Sequence, residues 1–142
     1  MNTNSDNPRV GAAFQKRVAD WLNRKYHKEF TLEKKKLIGS PPKEHKFDIV
    51  AEDDSIAVEC KCYTWTVNGN VPSAKMGFTN EAAFYLSFLP KTYDKYIVML
   101  YATHEKRAES LAEYYYRTNR HLLGDIKVAE FDPDKGIFRI IE

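Results

Sequence analysis

Two carboxylates and one lysine interrupt the two apolar runs that lie between positions 47 and 62. Asp48 lies in the first apolar run of this stretch, whereas Glu59 and Lys61 lie in the second. The polar residues between the two runs are of the types that form tight turns, so the stretch predicts a β-hairpin. If its strands pair antiparallel around Asp53, Asp48 lies roughly opposite Glu59. Strand alternation places Lys61 on the same face as Glu59, so the three side chains converge.

Such a group of side chains suits metal-assisted hydrolysis of a phosphodiester. Hard divalent cations such as Mg²⁺ bind carboxylate and carbonyl oxygens and keep several water molecules. The cation neutralises the phosphate and activates water, and a lysine beside that water can orient or deprotonate it. The alternative is a structural ion pair between Glu59 and Lys61, which contributes roughly 0–1 kcal/mol at a surface. We favour the metal site because charged side chains inside apolar strands are costly unless they are paired or bind a metal.

The spacing of these residues resembles the signature of the PD-(D/E)XK nuclease superfamily, whose members share the restriction-endonuclease-like fold. In that signature an aspartate follows a variable position, here Phe47, and a Glu-x-Lys motif closes the next strand, here Glu59-Cys60-Lys61. The resemblance covers roughly residues 10–102, whereas the C-terminal third matches only in its order of elements. Small Holliday junction resolvases share the chain length, the first helix and this spacing, and a small restriction or repair endonuclease fits equally well.

The resemblance implies an Mg²⁺- or Mn²⁺-dependent endonuclease that acts on DNA, with RNA as an open alternative. Asp48, Glu59 and the backbone carbonyl of Cys60 would bind the cation, and Lys61 would serve the attacking water. The first helix of this family often carries a supporting glutamate, and the position that fits best here is Gln15. An amide can position a water or bind weakly through its oxygen but brings no charge, and an ordinary exposed glutamine is an equally good interpretation. The choice between one and two metals therefore stays open.

The missing helix glutamate also supports a different class of function. A catalytically degenerate nuclease-fold module could bind nucleic acid or a partner subunit without cleaving anything. The complete set of Asp48, Glu59 and Lys61 argues against this alternative, because a degenerate module has no need to keep all three.

Composition restricts the classes of protein to which this chain can belong. Its 142 residues are 43% hydrophobic and fit one nuclease-like domain, residues 1–142, with an expected disordered tail at residues 1–6. The net charge is only +2, so a nucleic-acid site must come from local clustering of charge. Cys60 and Cys62 lack the second pair that a zinc site needs, and we interpret them as small buried side chains. The sequence has neither a membrane-length apolar run nor a signal-peptide core, which favours a cytoplasmic protein.

Positive charge is concentrated just upstream of the first carboxylate. The cluster consists of Lys34, Lys35, Lys36, Lys43 and Lys46. It suits a surface that binds phosphates, although lysines also protect solvated edge strands against aggregation. Beyond the hairpin, Lys75 is the candidate phosphate-contacting lysine and Tyr63 a candidate for base stacking, whereas Trp65 is expected in the core. The predicted nucleic-acid-binding residues are Lys34, Lys36, Lys43, Lys46, Lys75 and Tyr63.

The hydrophobic pattern predicts the elements that position these residues. A helix capped by Asn7 and Pro8 runs to about Tyr26, a strand covers 30–38, and the second hairpin strand extends to Val67. A helix capped by Thr79 or Asn80 ends before Pro90, a strand covers 96–102, a long helix runs from Thr103 to Leu123, and two strands cover 126–131 and 137–141. The order predicts an α/β fold, a three-layer α/β/α restriction-endonuclease-like core with a mixed central sheet and an added C-terminal hairpin. Residues 82–89 are apolar nearly all round the helix, which predicts burial or a homodimer contact.

Overall fold

Six strands form one mixed β-sheet in the computed structural model of the protein, which describes residues 7–142. The strands are β1 (Phe30–Ile38), β2 (Lys43–Ala51), β3 (Ile56–Lys61), β4 (Asp94–Leu100), β5 (Lys127–Asp132) and β6 (Ile137–Ile141), and their spatial order is the same. Neighbouring strands β3, β4 and β5 are parallel, whereas β1–β2, β2–β3 and β5–β6 are antiparallel pairs. The predicted tail at residues 1–6 lies outside the described residues.

Three helices cover the two faces of this sheet. They are α1 (Pro8–Tyr26), α2 (Ser73–Ser87) and α3 (Leu111–Asn119), and α3 continues into a short 3₁₀ turn at Arg120–Leu122. Phe14 of α1 packs in one buried cluster with Val58, while Leu86 of α2 and Tyr115 of α3 pack in a second cluster with Ala57. Because adjacent residues of β3 face different clusters, α1 lies on one face and α2 and α3 lie on the other. In the described part of the chain, no helix combines the length and apolar character needed to cross a bilayer.

The predicted architecture is confirmed, as is the start of the first helix. The observed order of helices and strands is α-β-β-β-α-β-α-β-β, with a mixed sheet between two helical layers and a C-terminal hairpin added at one edge. At the N-terminus of α1, the side chain of Asn7 accepts a hydrogen bond of 2.9 Å from the N–H of Arg9, and Pro8 occupies the first turn.

Two predicted helix boundaries are wrong. The second helix begins at Ser73, and Thr79 lies buried inside it, where its hydroxyl donates to the carbonyl of Lys75 at 2.9 Å. The third helix begins at Leu111, not at Thr103. Ser110 caps it, because the Ser110 N–H donates to the Glu113 carboxylate at 2.7 Å and the Glu113 N–H donates to the Ser110 hydroxyl at 3.1 Å.

The second hairpin strand is also shorter than predicted. It ends at Lys61, and the chain then forms a loop as far as Pro72. Arg107 donates a hydrogen bond of 2.7 Å to the carbonyl of Gly69, and His104 bonds the carbonyl of Val67 at 2.8 Å. The loop is therefore held against the segment that follows β4 instead of continuing the sheet.

Strand β2 departs from simple alternation next to the candidate site. Phe47 and Val50 pack in the same buried cluster, although strict alternation would put them on opposite faces. The β1–β2 register places Glu33 opposite Asp48, and Glu33 has a φ of +53°, which is uncommon for a residue other than glycine. The irregularity lets Phe47 and Val50 both point toward α2 and α3, whereas Ile49 between them points toward α1.

Candidate functional site

The β2–β3 hairpin places Asp48 opposite Glu59, as its sequence predicted. Backbone pairing in this hairpin joins Ile49 to Val58 and Val50 to Ala57, so the next pair in the same register is Asp48 with Glu59. At this pair, hydrogen bonds from backbone N–H groups to side-chain carboxylates replace the backbone hydrogen bonds of the strand ladder. The Asp48 N–H donates to Oε1 of Glu59 at 2.9 Å, and the Cys60 N–H donates to Oδ2 of Asp48 at 2.7 Å. Each carboxylate is therefore held by an N–H group of the opposite strand, at the end of the paired part of β2 and β3.

Burial makes this carboxylate pair electrostatically unfavourable. The side chain of Glu59 is 7% exposed, and burial raises the pKa of both Glu59 and Asp48. The charge of Asp48 further raises the pKa of Glu59, which reaches about 8, although the Asp48 N–H and the Lys61 ammonium oppose this shift. The pair therefore favours a proton on Glu59 near neutral pH, and a positive charge placed beside it would favour release of that proton.

Two lysines and a tyrosine lie together at the end of β3. The ammonium of Lys61 favours the charged form of both Asp48 and Glu59, which places it at the same site as the carboxylates. Its Nζ lies 5.8 Å from the centre of the Tyr63 ring, and the Nζ of Lys75 lies 5.4 Å from the same centre. The structure thus brings Lys61, Lys75 and Tyr63 together, and contact of Lys75 and Tyr63 with nucleic acid stays a prediction.

His45 is a member of this site that the sequence analysis missed. Its Nε2 lies 3.6 Å from Oε2 of Glu59, and its ring stacks on Tyr85 of α2 with 3.8 Å between ring centres. Burial lowers the pKa of His45; Lys61 acts in the same direction and Glu81 opposes it. Simple alternation would point a residue three positions before Asp48 to the other face of the sheet. The irregularity of β2 brings His45 to the site, and no local sequence pattern predicts this position of His45.

Most of the predicted phosphate-binding lysines on the β1–β2 hairpin pair with acids. The ion pairs are Lys34–Glu52 (3.6 Å), Lys36–Asp54 (2.6 Å) and Lys46–Glu33 (3.4 Å). Lys43 is exposed at the start of β2. Because β1 is an edge strand, this arrangement agrees with the alternative interpretation of the cluster as a protected sheet edge. The paired lysines present less net positive charge to a phosphate than the sequence suggests.

Gln15 lies on the helix that covers the opposite face of the sheet. It is half-buried on α1, which packs against the face carrying Val58 and Cys60. The side chain of Glu59 points to the face covered by α2 and α3, because strand neighbours alternate. Support for a cation from Gln15 would therefore have to come from the edge of the sheet, and its role stays a prediction.

The donor set of the site suits a hard divalent cation. Among residues 7–142 no group of three or more His, Cys, Asp and Glu side chains is arranged to hold a metal, so a third protein ligand would be another kind of donor, such as a backbone carbonyl. The Cys60 N–H points to β2, and the carbonyl of a strand residue points to the same side as its N–H, so the Cys60 carbonyl faces Asp48. Two carboxylates, one carbonyl and water are the ligands that Mg²⁺ prefers.

Both cysteines pack as small apolar side chains, but they are half-buried and not buried as the sequence analysis predicted. Cys60 and Cys62 are free and pack against the cluster beneath α1, on the face opposite Glu59. Burial raises the pKa of the Cys60 thiol well above its usual range, and the charges of Asp48 and Glu59 add to this effect. A neutral thiol is a poor metal ligand, so the chemistry of the site comes from oxygen atoms.

A second polar cluster lies at the edge of a cavity of about 420 Å³, but its charged groups are paired with one another. Glu130 is 5% exposed and accepts hydrogen bonds from the Ser110 hydroxyl at 2.6 Å and from Arg139 at 2.7 and 3.0 Å. Arg139 also contacts Glu113 at 2.9 Å. Each of these charged groups has a partner, so the cluster fastens α3 to β5 and β6.

The raised pKa of Glu59 predicts a pH-dependent difference in stability between the wild-type protein and Glu59→Gln. The folded state holds a proton on Glu59 up to about pH 8, whereas the unfolded chain loses it near the ordinary value of 4.5, so the free energy of unfolding falls as pH rises between these values. Glutamine keeps an acceptor for the Asp48 N–H and has no charge to bury. Relative to Glu59→Gln, the wild type should lose about 2–4 kcal/mol between pH 5 and pH 9, at about 1.4 kcal/mol per unit of pKa.

Urea denaturation in EDTA at both pH values measures this difference. Glu44→Gln, which removes an exposed acid on the same hairpin, is the matched control and should follow the wild type. If wild type and Glu59→Gln keep a constant difference in stability across this range, Glu59 does not hold the proton.

Comparison with known proteins gives no relative from which a function could be inferred. No protein-family model, no curated protein and no solved structure matches the chain. The function is therefore inferred from the positions, burial and charges of the side chains around Asp48 and Glu59.

Proposed function

We propose that the protein is a metal-dependent nuclease that hydrolyses phosphodiester bonds in DNA. The observation that supports this proposal is the pair of buried Glu59 and half-buried Asp48, held opposite each other with Lys61 acting on both. Two carboxylates that repel each other and are largely removed from water cost stability in the free protein. Strongly shifted pKa values with a specific charged partner are typical of functional sites, and a divalent cation would relieve the repulsion.

Each residue of the site has a role in this proposal. Asp48, Glu59 and the Cys60 carbonyl would hold Mg²⁺ or Mn²⁺, which when bound neutralises phosphate charge and stabilises the leaving oxygen. Lys61 is two residues from Glu59 on the same strand face, where its ammonium can orient the attacking water and take part in proton transfer. The reciprocal backbone hydrogen bonds fix both carboxylates before the substrate binds.

DNA would reach the site along the loop that follows β3. Lys75 at the first turn of α2 and Tyr63 in the loop lie side by side, so one can contact a phosphate and the other can stack on a base. The exposed Lys43 extends this surface along the β1–β2 hairpin, and Lys34, Lys36 and Lys46 contribute only if DNA displaces their acidic partners. RNA is the second substrate class to test.

One observation favours the alternative of a degenerate module that binds nucleic acid or a partner subunit. The helix that would supply an additional acid carries Gln15 and packs on the opposite sheet face from Glu59. Such a module would bind DNA without cutting it, and its affinity for DNA would not depend on Asp48 or Glu59.

Cleavage of labelled DNA separates these two functions. The panel should contain single-stranded DNA, duplex DNA and a four-way junction, each incubated with Mg²⁺, with Mn²⁺ and with EDTA. The nuclease proposal expects cleavage of at least one substrate with either metal and none with EDTA. Binding without cleavage across the whole panel would favour the degenerate module, and cleavage that persists in EDTA would contradict the metal-dependent proposal.

The exposed face of α2 supports the homodimer that the sequence predicted. Phe78, Phe84 and Phe88 are 50%, 62% and 44% exposed, and the rings of Phe84 and Phe88 pack edge to face at 5.0 Å. Exposed aromatic side chains gathered on one element are typical of an interaction surface. Two copies of the helix packed about a twofold axis would bury both sets and pair two active sites, as cutting two strands requires.

Phe84→Glu should convert the dimer to a monomer, because it places a charge at the centre of an apolar contact. Light scattering at micromolar concentration measures the mass of both proteins. Leu122→Glu changes an equally exposed apolar residue outside α2 and should leave the dimer intact. A wild-type protein that is monomeric at this concentration would contradict the dimer and favour an enzyme that cuts one strand.

A further inference from the structure

The imidazole of His45 is a polar group beside the proposed metal site for which the function above has no use. Its Nε2 is buried and has no hydrogen-bond partner among residues 7–142. The separation of 3.6 Å from Oε2 of Glu59 is too long for a hydrogen bond. A buried polar atom without a partner costs about 1–3 kcal/mol, and such atoms occur where a ligand or a functional change supplies the partner.

Aromatic packing fixes the plane of the His45 ring. The ring lies nearly parallel to that of Tyr85, with 12° between their planes, and meets the ring of Phe47 edge-on at 4.5 Å. Tyr85 belongs to α2 and Phe47 to β2, so the imidazole is held from two elements. The ring therefore cannot swing out of the site without breaking this packing.

The two oxygens of Glu59 have different surroundings. Oε1 accepts the N–H of Asp48 at 2.9 Å, whereas Oε2 is the atom that faces His45. A movement of roughly 0.7 Å would bring Nε2 and Oε2 to the usual hydrogen-bond distance of about 2.9 Å. A carboxylate oxygen with no other hydrogen-bond donor among residues 7–142 is therefore within a small shift of the unpartnered Nε2.

We propose that His45 is a positioning residue that orients Glu59 for the divalent cation by donating from Nε2 to Oε2. The inference rests on the proposed metal-dependent function and assigns His45 no contact with the substrate. Outer groups that orient a ligating carboxylate typically contribute 10- to 100-fold to metal affinity. His45 also links α2 to the metal site, because Tyr85 supports its ring.

Titration of the protein with Mn²⁺, followed by electron paramagnetic resonance, tests this proposal without a nucleic acid. His45→Phe keeps an aromatic ring between Tyr85 and Phe47 but removes the donor. It should bind Mn²⁺ about 10- to 100-fold more weakly, with thermal stability equal to or above that of the wild type. His45→Gln places an amide N–H near the same position and should restore part of the affinity. His45→Leu also removes the donor but introduces no ring, and it serves as a second non-donor variant if phenylalanine does not fit between Tyr85 and Phe47.

The outcomes separate the failure of this inference from the failure of the proposed function. If the wild type binds Mn²⁺ and both non-donor variants bind it equally well, His45 does not position Glu59 and only this inference fails. The same conclusion follows if His45→Gln binds no more tightly than His45→Leu. A wild type that binds no Mn²⁺ would overturn the metal site itself, and the role of His45 with it.

Discussion

Replacing Lys61 by alanine is expected to lower the cleavage rate by a factor of roughly 10²–10⁴, as for the loss of a proton-transfer group. The physical reason is its place: Lys61 lies on the strand face of Glu59, and its charge acts on both carboxylates. In the proposed nuclease the ammonium would therefore lie beside the attacking water, at the end of β3. DNA affinity should change little, because the proposal assigns most of the binding energy to phosphate contacts elsewhere.

Single-turnover cleavage, with binding measured separately over a range of salt concentrations, tests this division of labour. Lys75→Ala is the matched control, because Lys75 flanks the same Tyr63 ring but lies on α2. It should weaken binding and reduce the salt slope by about one phosphate contact, with a chemical step close to that of the wild type. Cleavage by Lys61→Ala at the wild-type rate in Mg²⁺ would reduce Glu59-Cys60-Lys61 to a strand with an ion pair.

Replacing Asp48 by asparagine should have an effect at least as large. The variant loses one of two charged ligands, and metal-ion catalysis contributes several kcal/mol, so cleavage should fall by about 10³-fold or more. Asparagine keeps an oxygen that can accept the Cys60 N–H, so the hairpin should remain folded. Removing the Asp48 charge also removes one cause of the raised pKa of Glu59, which should fall toward its ordinary value.

Three readouts distinguish loss of the site from loss of the fold in Asp48→Asn. Calorimetric titration with Mn²⁺ should show the weakened site, circular dichroism should match the wild type, and the cleavage assay should give the rate. Glu44→Gln serves as the control for the loss of an acid from the same strand. A folded Asp48→Asn protein that cleaves at the wild-type rate would remove Asp48 from the active site.

The parts of the fold that sequence could predict are those with local signals. The hairpin around Asp53 and the cap at Asn7 depend on neighbouring residues, and both occur as predicted. The capping box from Ser110 to Glu113 is also visible in the sequence as a Ser-x-x-Glu pattern, although the prediction began this helix at Thr103. The predicted cap at Thr79 failed because a threonine hydroxyl can either cap a helix or donate to a carbonyl of its own helix, as Thr79 does.

The features that sequence could not predict arise from tertiary packing. His45 reaches Glu59 only because β2 is irregular where Glu33 faces Asp48, and no pattern within either strand encodes this register. The ion pair of Lys36 with Asp54 likewise depends on where the β2–β3 turn lies relative to β1. Charge clusters in sequence therefore overstate the positive surface, whereas the Asp48 and Glu59 pair follows from strand parity alone.

The measurement that tests the metal site most directly is X-ray diffraction from crystals grown in millimolar Mn²⁺. Anomalous scattering locates the cation without reference to any substrate or assay. The proposal predicts a peak bounded by the Asp48 and Glu59 carboxylates and the Cys60 carbonyl, and its loss in crystals of Asp48→Asn. A map with Mn²⁺ elsewhere or nowhere, in crystals in which no neighbouring molecule covers Asp48 and Glu59, would contradict the metal-dependent nuclease.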